Sequence, residues 1–421
     1  MDICAKNVIF VFMNLVDFRG EFPELSETVY GKKLVYLDNA ATSLRPLSVI
    51  REWDEMSMKY TANLHRAVHH IAEVATQKYE AARDAVKDYI NAGSMDEIIF
   101  TSGTTASINL VAFSFGEAFV EPGDEIMVSE VEHHSNIVPW QMMCARKGAV
   151  LRVIPVDDEG HLRLDELKRM LSSRTRLVCV AQVSNVLGLV NPIKEIVSIC
   201  HSRSCPVLVD GAQGIVHSGV DVRKLDCDFY VFSGHKVYAA PGTGVLYGKK
   251  SYLDRMPPYM GGGEMISEVK WSGTTYAALP HKFEAGTQNI SGTPTLVQAL
   301  RVAELSHTAE IQSNMADIVD YMLNAFSSDS RYHLYGLPDD GYEKIPLFSF
   351  SVEHCHHEDL ALILDKMGIA VRSGQMCAEP VMDRFGVTGM LRASFAPYNT
   401  VDEAKYLMSS LGRAIKMLDR K

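Results

Sequence analysis

A lysine follows an apolar run in "FYVFSGHK": Phe229 to Phe232 read as a buried strand, and Lys236 comes after Ser233, Gly234 and His235. Lysine is ordinarily solvated, so an amine at the end of such a strand is a candidate for covalent or acid–base chemistry. A second apolar run, "VLVDGAQ", ends in Asp210 with Gln213 close behind, and "VAQVSN" ends in Asn185. "IMVSEVEHH" leads into His133, and "IIFTSGTTAS" runs through Gly103 into Thr104 and Thr105 at the start of a helical stretch. In open α/β sheets ligands sit beyond the carboxyl ends of the strands, which is where these residues fall.

Each piece has a plain reading beside the chemical one. A glycine turn, two hydroxyls and the free N–H groups of a helix start favour phosphate, but Thr104 or Thr105 could equally be an ordinary N-cap. No Gly-Lys-Ser/Thr follows, so the piece is not a Walker A loop. Asp210 and Lys236 could form a simple ion pair, and His133 could be a structural histidine. Taken together they match what pyridoxal phosphate requires. A lysine binds the aldehyde, a carboxylate keeps the pyridine nitrogen protonated, and a cradle takes the phosphate. His133 is available as the plane over the ring.

The elements that must position these residues alternate. Residues 75–91 have helical apolar spacing, with Gly93 as a stop. Strands are expected at "EIIF", "EIMVSE", "VLRVIPV", "RLVCVAQVS" and "PVLVDGAQ", separated by helices at "ASINLVAFSFGEAF", "IVPWQMMCARKG", "LDELKRML" and "PIKEIVSICHSR". Such alternation, running to about residue 289, predicts an α/β fold with a mostly parallel sheet covered on both faces. Beyond it, helices at about 295–305 and 311–326 precede the strand "IPLFSFSVE". The helix "EDLALILDKMG", short strands at "IAVRSG" and "LRASF", and a final helix complete a small α+β unit.

Composition excludes several function classes. A net charge of −11 argues against nucleic-acid or anionic-membrane partners, which need a basic surface. No apolar run is long enough to span a bilayer. The stretch "NVIFVFMNLV" reads as a packed or frayed end and not as a signal peptide, and Met13 is an alternative start. Eight cysteines, with no Cys-x-x-Cys pair, read as reduced thiols of a cytoplasmic protein, most of them buried.

"YLDNAATSLRP", "TSGTTASINLVA", "EHHSNIVPWQ", "VSNVLG", "VDGAQ", "FSGHK", "EAGTQN" and "RASFAPYNT" occur in this order from about Phe22 onward. Together they resemble the cysteine desulfurases of the class V aminotransferase group, Suf-type branch. The resemblance implies the fold type I of pyridoxal-phosphate-dependent transferases, similar to aspartate aminotransferase. A large domain, 31–290, would hold a mostly parallel seven-stranded sheet. A small C-terminal α+β domain, 291–421, would carry the nucleophilic cysteine, with segment 1–30 packed on it. It implies that Lys236 carries pyridoxal 5'-phosphate, Asp210 meets the ring nitrogen, His133 stacks on the ring and Gln213 contacts the ring oxygen. Thr105, Ser233 and His235 would hold the phosphate, with Thr104 adjacent. Thr287, in "EAGTQN", resembles a residue that reaches the phosphate from a second subunit, which implies a homodimer.

By the same resemblance Cys377, in "VRSGQMCAEP", is the sulfur-accepting nucleophile, five residues after Arg372. On bare sequence it could be another buried cysteine. Arg392, in "RASFA", resembles the arginine that pairs with the substrate carboxylate, a task suited to a bidentate guanidinium. Asn185 and His65 resemble further pocket residues; no metal ligand is implied. Many bacterial members carry two histidines before the cysteine, where this chain has Gln375 and Met376. The implied reaction converts L-cysteine to L-alanine and leaves a Cys377 persulfide, with Lys236 moving the α-proton and His133 as proton partner. The sulfur would pass to an acceptor protein, SufE- or SufU-like, for iron–sulfur or other sulfur biosynthesis. Selenocysteine lyase activity and ordinary class V transamination are the alternatives.

Overall fold

The computed structural model describes residues 14–217 and 219–419. Residues 7–13 of the apolar N-terminal stretch, including Met13, lie outside them. The chain divides into two compact units. The larger comprises 49–184 and 190–300; the smaller comprises, among the described residues, 14–48, 185–189 and 301–419. These bounds differ from the expected 31–290 and 291–421, because residues 31–48 and 185–189 belong with the C-terminal unit and 291–300 with the larger one.

The larger unit is built on a seven-stranded sheet. In chain order its strands are β1 (Ile98–Thr101), β2 (Glu125–Ser129), β3 (Val150–Ile154), β4 (Thr175–Ala181), β5 (Val207–Asp210), β6 (Phe229–Ser233) and β7 (Gly244–Gly248). In space they run β1-β7-β6-β5-β4-β2-β3. From β3 to β6 every pairing is parallel, whereas β7 is antiparallel to both β6 and β1. The short 234–243 connection explains the reversal, since a parallel return needs a longer crossover.

Helices Thr104–Phe119, Val138–Lys147, Leu164–Met170 and Ile193–His201 fill the crossovers. Ile108, Val111 and Phe115 of the first pack with Ile126, Leu208, Val231 and Leu246 of the sheet, alongside Trp140. Central strands buried on both faces read as unbroken apolar runs, which is why the sequence displays them.

Edge strand β1 is secured from outside the ladder. The carboxylate of Glu284 accepts the Phe100 N–H at 2.7 Å and pairs with both terminal nitrogens of buried Arg83, at 2.7 and 2.9 Å. A hairpin of Ile266–Lys270 and Gly273–Tyr276 has no counterpart in the sequence reading. Its residues are almost all exposed on both faces, so no alternation marks it.

The smaller unit carries a four-stranded antiparallel sheet, ordered Tyr332–Tyr335, Leu347–Val352, Met390–Ser394, Arg372–Gly374. Helices Ala309–Ser327 and His357–Lys366 pack on it, and Val401–Leu418 packs against both of these helices. The N-terminal segment joins this unit through Val35–Tyr36, which pairs in parallel with Ile369–Ala370, and through Arg19, which donates to Glu403 at 2.9 Å. Thr400 and Glu403 form a capping box that starts the last helix.

Candidate active site

In the larger unit β5 and β6 are parallel neighbours, with Asp210 opposite Val231. Asp210 and the 233–236 turn therefore leave the same edge of the sheet, at its carboxyl ends. Asp210 is 5% exposed and accepts the Ala212 N–H at 2.9 Å. Burial pushes its pKa up, while the Ala212 N–H and the charge of Lys236 act against that. His235 and Lys236 are half-buried in the single turn Gly234–Lys236, and Gln213 is buried just after β5. The lysine at the end of a buried strand thus stands at the sheet's rim, on the side where Asp210 emerges.

The helix that starts after β1 is capped in an unexpected way. Neither Thr104 nor Thr105 is its N-cap: Gly103 is, and it has no side chain to offer. Ser233, from the end of β6, accepts the Thr104 N–H at 2.8 Å and donates to Thr104 Oγ at 2.9 Å. Gly103 has φ 152° and meets Gly244 so closely that a Cβ on Gly244 would lie 2.3 Å from the Gly103 Cα. The next N–H groups, of Thr105 and Ala106, head a four-turn helix whose N-cap residue offers them no side chain, beside exposed Thr105. That donor set suits a phosphate.

His133 begins the turn after β2. Its Nδ1 accepts the Ser135 N–H at 3.1 Å and lies 2.8 Å from Ser135 Oγ. With Nδ1 accepting, the proton of a neutral ring is on Nε2. The preceding residue, Glu132, is a functional candidate that the sequence reading missed. It is fully buried, receives the Asn136 amide at 2.7 Å and the Ala181 N–H at 2.8 Å, and is hydrogen-bonded by Ser129. Burial raises its pKa to about 7, with those three donors opposing and Asp210 adding to the rise. Nothing in "SEVEHH" separates this carboxylate from that of half-buried Glu130 two residues before it; the signal is in the packing.

His65 keeps different company. It has φ 61°, its Nε2 is 3.0 Å from Glu80, and its ring lies 5.0 Å from that of His281. Glu80 is already engaged by buried Arg83; burial pushes its pKa up, but hydrogen bonds from His65 and Arg83 and the Arg83 charge outweigh that and bring it to about 2. Thr287 is exposed.

The smaller unit gathers Cys377, Asn185, Arg372 and Arg392. Cys377 is the one exposed cysteine among the seven described. Arg372 and Arg392 are directly opposite across their antiparallel strands, and both reach Asp38, at 2.8 and 3.3 Å. Arg392 is 2% exposed and donates from one terminal nitrogen to the Asn185 carbonyl at 2.8 Å. Burial lowers its pKa, with the charge and hydrogen bond of Asp38 opposing. Its Nε is buried with no hydrogen-bond partner among the described residues. The Asn185 side-chain amide donates to the Met376 carbonyl at 2.9 Å, next to the cysteine.

Comparison with known proteins places these features in a family. The model of "Aminotransferase class-V" matches residues 35–407. A "Probable cysteine desulfurase" of Vibrio cholerae is 41% identical over 97% of this chain and 100% of its own. A "Cysteine desulfurase" of Serratia proteamaculans is 45% identical over 95% of this chain and 98% of its own. Among solved structures, the cysteine desulfurase CsdA of Escherichia coli (S-sulfonic acid) superposes with a TM-score of 0.88 at 38% identity, covering 96% of this chain and 99% of that one.

Proposed function

Since the chain belongs to the class-V aminotransferase family, we propose that it is a cysteine desulfurase dependent on pyridoxal phosphate. Within such a family the reaction is set by the side chains around the cofactor, and Cys377 is the observation that carries the reading. It is exposed where the other described cysteines are buried or half-buried, and it shares a cluster with a buried arginine that has a spare donor.

The larger unit's residues fit the cofactor. Lys236 supplies the amine for its aldehyde and Asp210 the carboxylate for its ring nitrogen. The helix start at Thr104 and Thr105, with Ser233 and His235, supplies donors for its phosphate, while Gln213 is placed for the ring oxygen. When bound, pyridoxal phosphate is an electron sink that makes the substrate α-proton acidic and loosens its Cβ–S bond.

The chain does the rest. Arg392 binds the substrate carboxylate through its Nε, which has no hydrogen-bond partner among the described residues, with Asn185 and Arg372 shaping the pocket beside it. Lys236 takes the α-proton and returns protons as general acid–base. His133, whose neutral ring carries its proton on Nε2, would stack on the cofactor ring and serve the departing group. Cys377 Sγ attacks the substrate sulfur: the S–S bond forms as Cβ–S breaks, the electron pair passes to Cβ, and a proton completes alanine. The balance is L-cysteine plus thiol giving L-alanine plus persulfide.

The persulfide then passes to an acceptor protein or a thiol. Exposure of Thr287 supports its reaching the phosphate of a second copy, hence a homodimer.

The test is alanine formation from L-cysteine with a thiol reductant, together with borohydride reduction and peptide mapping. A stable adduct on Lys236 and stoichiometric alanine and sulfide are expected. An adduct on another peptide, or none, would sink the cofactor assignment.

A further inference from the structure

Cys377 occupies a backbone conformation that its sequence does not favour. Met376 and Cys377 have φ of 56° and 55°, and the Ala378 N–H closes on the Gln375 carbonyl at 3.0 Å. Two successive central residues with positive φ, closed by such a bond, are the signature of a type I' turn, which ordinarily calls for Asn-Gly or Gly-Gly. Methionine and cysteine both have a Cβ that opposes the left-handed region. A conformation of this kind persists only where its surroundings impose it.

Among the described residues, the Asn185 amide holds the turn's centre by donating to the Met376 carbonyl at 2.9 Å. Asn185 is itself immobilised. Its own carbonyl accepts from Arg392, that of Val186 from Ser349, that of Leu187 from the Lys344 ammonium, and that of Gly188 from the Ile345 N–H. Four consecutive carbonyls are thereby fixed, and the first residue of the row extends its side chain to the cysteine turn. Met376 adds a buried side chain, while Cys377 stays exposed.

We propose that Asn185 is a positioning residue for Cys377, holding the 375–378 turn left-handed so that the thiol is presented at a fixed place. The inference rests on Cys377 being the nucleophile. It gives Asn185 a task separate from any contact with substrate, and it accounts for a cysteine turn without glycine at its centre.

Hydrogen–deuterium exchange of the peptide spanning Ala378 reads the turn directly, alongside kcat and KM for alanine formation by the holoenzyme. Asn185→Ala removes the donor, and isosteric Asn185→Asp replaces it with an acceptor, so a packing failure in the first does not silence the test. Both are expected to speed exchange at Ala378 about tenfold and to lower kcat. Adding Met376→Gly, which accepts positive φ freely, is expected to restore exchange protection and kcat in the Asn185→Ala background.

Unchanged exchange in both Asn185 variants would overturn the inference. So would a kcat loss that Met376→Gly does not relieve, because a missing substrate contact cannot be repaired by a backbone change at position 376. If Cys377→Ser still forms alanine, the nucleophile reading fails instead, and the exchange data still judge the hold on the turn.

Discussion

Arg372 and Arg392 face each other across an antiparallel pair, and Asp38, which forms an isolated parallel bridge with Ser394 at the end of Arg392's strand, pairs with both. Like charges directly opposite on a sheet repel, so the shared carboxylate is what lets both guanidinium groups stay. Asp38→Asn leaves Arg392 buried without a counter-charge. Stability should fall by about 3 kcal/mol, read by urea unfolding, because removing one partner strands the other. An unchanged midpoint would show that the arginines separate freely.

Arg392→Lys tests the carboxylate assignment. Lysine keeps a charge but loses the planar fork and the Nε donor. KM for L-cysteine should rise on the order of tenfold, with the cofactor band unchanged, in keeping with loss of a charge-assisted hydrogen bond. A kcat effect at constant KM would move Arg392 from substrate binding to another role.

Cys377→Ser separates cofactor chemistry from sulfur transfer. The visible band of bound cofactor should remain, since no cradle residue changes, while alanine formation from L-cysteine drops to background. Retained turnover on selenocysteine alone would mark the variant as able to use the more labile Cβ–Se bond. Normal alanine release from cysteine would remove Cys377 from the nucleophile's role.

The sheet was legible because strands buried on both faces leave unbroken apolar runs, and the polar residues that end them line up on one edge. Lys236, Asp210 and Ser233 could be found this way. Asp38 could not be assigned its bridging role: its partners lie more than 300 positions away, and the two-residue strand beside it has no measurable periodicity. Glu132 was invisible for a different reason. Sequence marks a carboxylate as polar, and only packing makes it a buried acid that shares three donors. The helix start at Gly103 was read correctly as a turn into a helix, but its cap comes from Ser233, on a strand distant in sequence.

Glu132 has a pH signature whose sign is fixed by its direction of shift. Its folded pKa is about 7, above the ordinary 4.5 of the unfolded chain. Below 4.5 the acid is protonated in both states and its contribution is complete. Between 4.5 and 7 the unfolded chain releases the proton first, so stability declines as pH rises. Glu132→Gln is neutral throughout and lacks this decline. Urea unfolding from pH 4.5 to 8 should show the natural chain losing up to about 3 kcal/mol relative to the variant. Parallel curves would mean that the hydrogen bonds from Asn136, Ser129 and Ala181 keep the group ionised.

Arg83 and Glu284 provide the sharpest stability test. Both are buried, their two hydrogen bonds are 2.7 and 2.9 Å, and Glu284 also takes the outward N–H of Phe100 on edge strand β1. Arg83→Met strands a carboxylate in the interior and should cost about 3 to 5 kcal/mol. The double variant Arg83→Met with Glu284→Gln should recover part of the loss. The glutamine oxygen can still accept from Phe100, and no charge is left unpaired. Glu284 opens the stretch that carries Thr287, so the single variant should also weaken cofactor retention on dilution, whereas the double variant should regain it together with stability. If both variants are equally unstable, the pair acts by shape alone, and the electrostatic account of this edge is wrong.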